Sequence, residues 1–112
     1  MIKGIGTDII ELNKIRQYNK KYFLDKVFTK KEIDYARGRA CHLATTFAAK
    51  EAIFKAMGKG WLNPKEIEIV RDKKGKPGAI ISGELKKKIK NRKIMLSLSC
   101  TDEYAVAFAI LK

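Results

Sequence analysis

Hydrophobic and polar positions change period several times along the chain, and each change marks an element. Over residues 2–12 the chain reads IKGIGTDIIEL, β-branched residues interrupted by Gly4 and Gly6, which predicts an entering strand. With a period of two, Ile2, Gly4, Gly6, Asp8 and Ile10 share one face. Asp8 then stands on a face cleared by two glycines, a pattern that marks close approach of a ligand or another backbone. Its other possible duty is to cap the helix that follows. Residues 12–27 read as a single helix, with Leu12, Ile15, Phe23 and Val27 as the apolar stripe and Lys14, Arg16, Lys20, Lys21 and Lys26 as a basic surface. Thr29 with Glu32 three residues later has the spacing of a capping box, so a short helix is predicted over 30–37.

The strongest helical signal is ACHLATTFAAKEAIFKAM, residues 40–57, rich in good helix formers and followed by Gly58 at the place of a C-terminal cap. It is apolar nearly all round, which predicts a largely buried element. Glu51 and Lys55, four apart, project from one side of it. A glutamate in such a helix must be paired, hydrogen-bonded or bound to a cation. His42 reads as packed or solvent-facing. Beyond the Gly58-Lys59-Gly60 loop, strands over 66–71 and 77–82 flank the turn Asp72-Lys73-Lys74-Gly75 and predict a hairpin. A short basic helix over 82–91 turns Leu85 and Ile89 inward. Strands over 94–99 and 104–111 close the chain. The last is apolar on both faces, which suits a central position or an oligomer contact. Its Ala105, Ala107 and Ala109 face would admit a neighbouring subunit closely. The predicted class is α+β: one small, mostly antiparallel sheet packed with one long buried helix and shorter helices.

Length and composition narrow the picture. At 112 residues the chain fits one domain over 1–112. Its longest apolar stretch falls far short of a membrane span, and no signal-peptide core is visible. Two cysteines, Cys41 and Cys100, are too few for a disulfide framework and predict reduced thiols in a cytoplasmic protein. The formal net charge of +13 favours a polyanionic partner without choosing among nucleic acid, a phosphorylated small molecule, an anionic membrane and an acidic protein.

Asp8 and Glu51 are the acids that carry chemistry in this pattern. Two hard carboxylates, completed by water and phosphate oxygens, suit Mg²⁺. Lys55 could neutralise a phosphate oxygen, and Gly58 and Gly60 leave room for backbone N–H groups to approach anions. No P-loop, dinucleotide fingerprint or zinc-protease motif is present.

At these residues the chain resembles the bacterial holo-acyl-carrier-protein synthases. Gly4-Ile5-Gly6-Thr7-Asp8-Ile9-Ile10-Glu11-Leu12 is similar to their opening, and Phe47-Ala48-Ala49-Lys50-Glu51-Ala52 with Lys55-Ala56 to their central signature. Gly58-Lys59-Gly60, Ile67-Glu68-Ile69 and Gly75-Lys76-Pro77 follow in the family's order, and Leu98-Ser99-Cys100-Thr101-Asp102-Glu103-Tyr104-Ala105 resembles its close. The resemblance spans essentially the whole chain. It implies transfer of 4′-phosphopantetheine from coenzyme A to a serine of apo-acyl carrier protein, a step of fatty acid biosynthesis. Asp8 and Glu51 would hold Mg²⁺, with Lys55 on the phosphate. Gly58, Gly60, Gly75, Lys76, Pro77 and Thr101 would help seat the coenzyme. Lys14, Arg16, Lys20, Lys21 and Lys26 would meet the acidic carrier protein. The resemblance also implies a homotrimer with active sites shared between neighbours. Thr46 stands where many relatives carry Arg, and Cys100 where many carry His. The rival reading is a basic nucleic-acid-binding α+β domain, although no RRM, helix-turn-helix or zinc pattern supports it.

Overall fold

The computed structural model describes residues 1–18 and 20–112. Strand β1 (Gly4–Glu11) leads into helix α1 (Leu12–Tyr18), α2 (Lys21–Val27), α3 (Lys30–Ala36) and α4 (Ala40–Met57). A single 3-10 turn, Pro64–Glu66, opens the hairpin of β2 (Ile67–Arg71) and β3 (Pro77–Ile81). Helix α5 (Gly83–Ile89) and strands β4 (Ile94–Cys100) and β5 (Tyr104–Leu111) complete the chain. Among the described residues the strands form two small antiparallel sheets. The first has the order β1-β5-β4, with β5 central, one of the two placements its apolar faces suited, and the second is the β2-β3 hairpin. In the first sheet Gly4 pairs with Leu111 and Glu11 with Tyr104.

Helix α4 is the core of the molecule. Ala48, Ala49, Ala52 and Ile53 are buried, and the helix packs on the inner face of the first sheet. The alanines of β5 serve this contact. Ala105, Ala107 and Ala109 are fully buried inside the chain, which corrects the expectation that they meet a neighbouring subunit. Small side chains let the helix backbone come close, and β1 uses glycine for the same purpose: a Cβ on Gly6 would fall on the Ala52 carbonyl oxygen and 2.8 Å from the Ala56 nitrogen. The opposite face of the sheet is the uncovered one, with Ile5, Ile9, Met95, Tyr104, Val106 and Phe108 all exposed.

Two further expectations need correction. The predicted helix over 12–27 is two helices, because Lys20 has extended backbone (φ −117°, ψ 153°) and restarts the chain in a new direction. Position 19, inside that predicted helix, lies outside the described residues. The two cysteines, predicted as free thiols far apart in sequence, are placed in contact with each other. The first turn of α4 lies over the end of β4, placing Cys41 and Cys100 with Cα atoms 6.2 Å apart, a separation that a disulfide spans. The caps follow the sequence. Thr29 and Glu32 form the reciprocal capping box of α3, and Gly58 ends α4 in the left-handed region at φ 71°.

Candidate functional site

Asp8 and Glu51 come together because β1 and α4 are locked side by side. Gly4 and Gly6 hold the strand against the helix backbone, and Asp8 follows two residues later on the same strand face. One and a half turns before Ala56, Glu51 leaves α4 on that side. Both carboxylates line one open recess of about 290 Å³ with Lys14, Phe47, Ile9 and Tyr104. Lys55, one turn further along α4, does not line the recess but contacts Asp8, which does. Its Nζ donates to the Thr7 carbonyl oxygen (2.9 Å) and to Asp8 Oδ1 (3.2 Å). It therefore pairs with Asp8 across the two elements, and two of its three N–H groups are used within the chain.

Glu51 carries the electrostatic signature of the site. Burial raises its pKa above the ordinary glutamate range, the Asp8 carboxylate raises it further, and Lys55 partly opposes them. The Asp8 and Glu51 carboxylates, lining one solvent-open recess, form a hard-oxygen donor set, and the set fits a divalent cation. No three His, Cys, Asp or Glu side chains cluster as a metal site among the described residues. A cation here would take the rest of its ligands from water and substrate oxygens, which is the habit of Mg²⁺.

The other predicted residues divide. Lys14, expected on the partner surface, lines the recess itself. Arg16 donates to Asn13 Oδ1, and Lys21 pairs with Asp25 at 2.7 Å on the exposed side of α2. Lys26 lies 5.7 Å from the centre of the Tyr22 ring, and Lys20 is exposed at the start of α2. The Gly58 N–H is already engaged by the carbonyls of Lys55 and Phe54, whereas Gly60 has open space around it. Gly75, Lys76 and Pro77 sit at the tip of the β2-β3 hairpin, where the Asp72 side chain accepts from the Lys74 and Lys76 amides. Thr101 organises the β4-β5 turn by accepting from the amides of Glu103 and Tyr104. None of these glycines, nor Lys76, Pro77 or Thr101, lines the recess of Asp8 and Glu51 in the single chain. His42 packs edge-on against Tyr35 and is also outside it. Thr46 is buried, and Arg71 donates to the hydroxyl of the adjacent Thr45 at 3.2 Å.

Sequence reasoning passed over Lys50. Its side chain is fully buried and paired with Glu32 at 2.7 Å. The available signal was a lysine inside a helix that is apolar on every side.

A family model described as the 4′-phosphopantetheinyl transferase superfamily matches residues 4–109. The chain is 44% identical to a holo-[acyl-carrier-protein] synthase of Protochlamydia amoebophila, an alignment that covers 98% of each chain. Its fold is similar to the crystal structure of a holo-(acyl-carrier-protein) synthase from Bacillus anthracis in complex with CoA (3′,5′-ADP). There the TM-score is 0.85 and the identity 38%, with 99% of this chain and 96% of that one covered. The Helicobacter pylori holo-[acyl-carrier-protein] synthase in complex with coenzyme A is similar with a TM-score of 0.89 and 26% identity, covering 96% of this chain and 99% of that one.

Proposed function

The chain belongs to the 4′-phosphopantetheinyl transferase superfamily, and from that premise we propose that Asp8, Glu51 and Lys55 carry its chemistry as a single catalytic domain. It is a holo-[acyl-carrier-protein] synthase: it moves 4′-phosphopantetheine from coenzyme A to a serine hydroxyl of apo-acyl carrier protein and releases adenosine 3′,5′-bisphosphate. The nucleic-acid reading finds no support among these relatives.

The observation that carries the assignment of residues is the shared recess of the two acids with Lys55 bridging to Asp8. In the transfer, a bond forms from the serine oxygen to the phosphorus bearing pantetheine, and the bond from that phosphorus to the adenosine-side phosphate oxygen breaks. Asp8 and Glu51 would hold Mg²⁺, which when bound neutralises diphosphate charge. Lys55 has an N–H direction left for a phosphate oxygen, so it stabilises charge on the transferred group. Burial and the neighbouring Asp8 carboxylate raise the proton affinity of Glu51, which suits it to accept the serine proton. The hairpin tip at Gly75, Lys76 and Pro77, together with Gly58, Gly60 and Thr101, would seat the coenzyme once a neighbouring subunit completes the site. The uncovered sheet face supports such a neighbour, since Ile9 and Tyr104 belong both to that face and to the recess. Three copies is the number the family resemblance implies. No described helix is long and apolar enough to cross a membrane, and the cytoplasm is the compartment this reading assigns.

Incubating the protein with coenzyme A, Mg²⁺ and apo-carrier protein tests the reaction by mass spectrometry. The expected outcome is a carrier mass increased by one phosphopantetheine, lost when EDTA replaces Mg²⁺. An unmodified carrier would reject the reaction, and transfer that persists in EDTA would reject the metal.

The basic surface of the first helices gives the net charge of +13 a partner. Charge reversal at Lys20 and Lys21, both exposed, is expected to raise KM for the acidic carrier about tenfold at low salt while leaving KM for coenzyme A within about twofold. Equal losses for both substrates would place the carrier elsewhere.

A further inference from the structure

Lys50 sits beside Glu51 in sequence yet projects into the protein. Successive helix residues are turned by about 100°, so one stretch of α4 offers Glu51 to the recess and Lys50 to the interior. The Lys50 ammonium spends all three of its protons on fixed acceptors. It donates to the Val27 carbonyl at the end of α2 (2.7 Å), to Glu32 Oε1 in α3 (2.7 Å) and to the Pro64 carbonyl that leads into β2 (2.9 Å). Glu32 extends the hub. Its Oε1 also accepts from the Thr29 amide (2.8 Å), and its Oε2 accepts from the Ile69 amide (2.7 Å). The Thr29 hydroxyl in turn donates to Glu68 Oε2 (2.7 Å). Both charged side chains of the central pair are excluded from solvent, with 0% and 1% exposure.

Such a pair is weak evidence for stability, because apolar residues of similar volume can replace a buried pair with no net loss. What it supplies is direction. Helices α2 and α3 have seven residues each, too short to hold an orientation by themselves. The apolar contacts of this arm, Phe23 against Phe28 and Phe47, are non-directional. The hub fixes both ends of the segment 27–32 to the helix that bears Glu51.

We infer that Lys50 is a positioning residue for the carrier protein, holding the basic α2-α3 arm in register with the catalytic recess through Val27, Glu32 and Pro64. The inference rests on the reading that this arm receives the carrier. A carrier docked on Lys20 and Lys21 delivers its serine correctly only if the arm and α4 move as one body, whereas Asp8, Glu51 and Lys55 belong to β1 and α4; the hub also ties β2 through Pro64 and Ile69, so the carrier KM is the one expected to move more.

The test is the double variant Lys50→Met/Glu32→Gln in the full chain. It removes both charges together, and Gln at position 32 keeps the capping-box spacing. After native circular dichroism is verified, steady-state transfer is measured against each substrate. The expected result is a carrier KM raised about tenfold or more, with KM for coenzyme A within about twofold of wild type. A folded variant with an unchanged carrier KM, or with both KM values raised alike, overturns the inference. If the double variant fails to fold, Lys50→Arg, which keeps the ion pair but changes the three-acceptor geometry, is read by the same two ratios, with a carrier-selective rise of about threefold expected and an unselective or absent one overturning it. The Lys20/Lys21 reversal assayed alongside separates the two ideas. Should that reversal leave the carrier KM untouched, the docking reading fails and takes the inference with it. Should it raise the carrier KM while the hub variant behaves as wild type, only the inference fails.

Discussion

Glu51→Gln is expected to lose transfer activity by at least roughly 10²–10³-fold while melting at a higher temperature than the wild-type chain in metal-free buffer at neutral pH. The two effects share one cause. Glu51 is held partly out of water and faces the Asp8 carboxylate, so its charged form is disfavoured in the folded state and its pKa is raised. Between the ordinary glutamate range and that raised pKa, the folded protein binds a proton that the unfolded chain has released, and stability falls as pH climbs through the interval. Above it the folded state carries an ionised Glu51 in an unfavourable place. A neutral glutamine of nearly the same shape removes that penalty. The gain in melting temperature should therefore be present at neutral pH and shrink to nothing as pH falls below the ordinary glutamate range, where the wild-type side chain is itself neutral. Transfer suffers for the same reason, because the charge that destabilises the empty recess is the one that would hold the cation and accept the serine proton. Differential scanning calorimetry in EDTA at two pH values, with the carrier mass assay beside it, measures both. An active Glu51→Gln variant would remove the residue from the mechanism. An inactive variant with no gain in stability would mean that the recess does not strain this carboxylate.

Much of this candidate site is legible in the sequence. The alternation over 2–12 placed Asp8 on the glycine face of β1, and the unbroken apolar helix over 40–57 fixed the side from which Glu51 and Lys55 project. Local rules were enough there, because period and caps are properties of neighbouring residues. What could not be read is long-range. Glu51 and Lys55 have the spacing of a helical pair, yet Lys55 chose Asp8, 47 residues away. The alanine face of β5 is compatible with a neighbouring subunit or with α4, and nothing local to β5 distinguishes the two. Cys41 and Cys100, 59 residues apart, meet only because α4 crosses the end of β4. Lys50 lies in a helix whose pattern is apolar nearly all round, but the three acceptors that hold it inside come from three other elements.

The close approach of β1 and α4 leads to the second large effect. Gly6→Ala is expected to destabilise the protein by about 3 kcal/mol, the upper part of the range for overpacking a filled interior, and to lower the melting temperature by roughly 10–20 °C. The added methyl carbon would lie on the Ala52 carbonyl oxygen and 2.8 Å from the Ala56 nitrogen. These are backbone atoms of the most buried helix, so no side-chain rotation relieves the contact, and strand and helix must part. Asp8 is two residues along the same strand face, and its distance from Glu51 is set by that contact. Activity should consequently fall even at temperatures where the variant is fully folded, by more than the loss of folded protein explains. Gly78→Ala provides the control. Its nearest neighbour would be a Val70 methyl at 3.8 Å, ordinary van der Waals contact, and the reduced freedom of its unfolded chain is worth about 0.4–1 kcal/mol in favour of folding. Thermal melts of the two variants, with transfer rates taken well below both transitions, separate a general intolerance of substitution from a specific need for contact between β1 and α4. Equal stability of the two variants would mean that strand and helix have room to spare, and the position of Asp8 would then need another explanation.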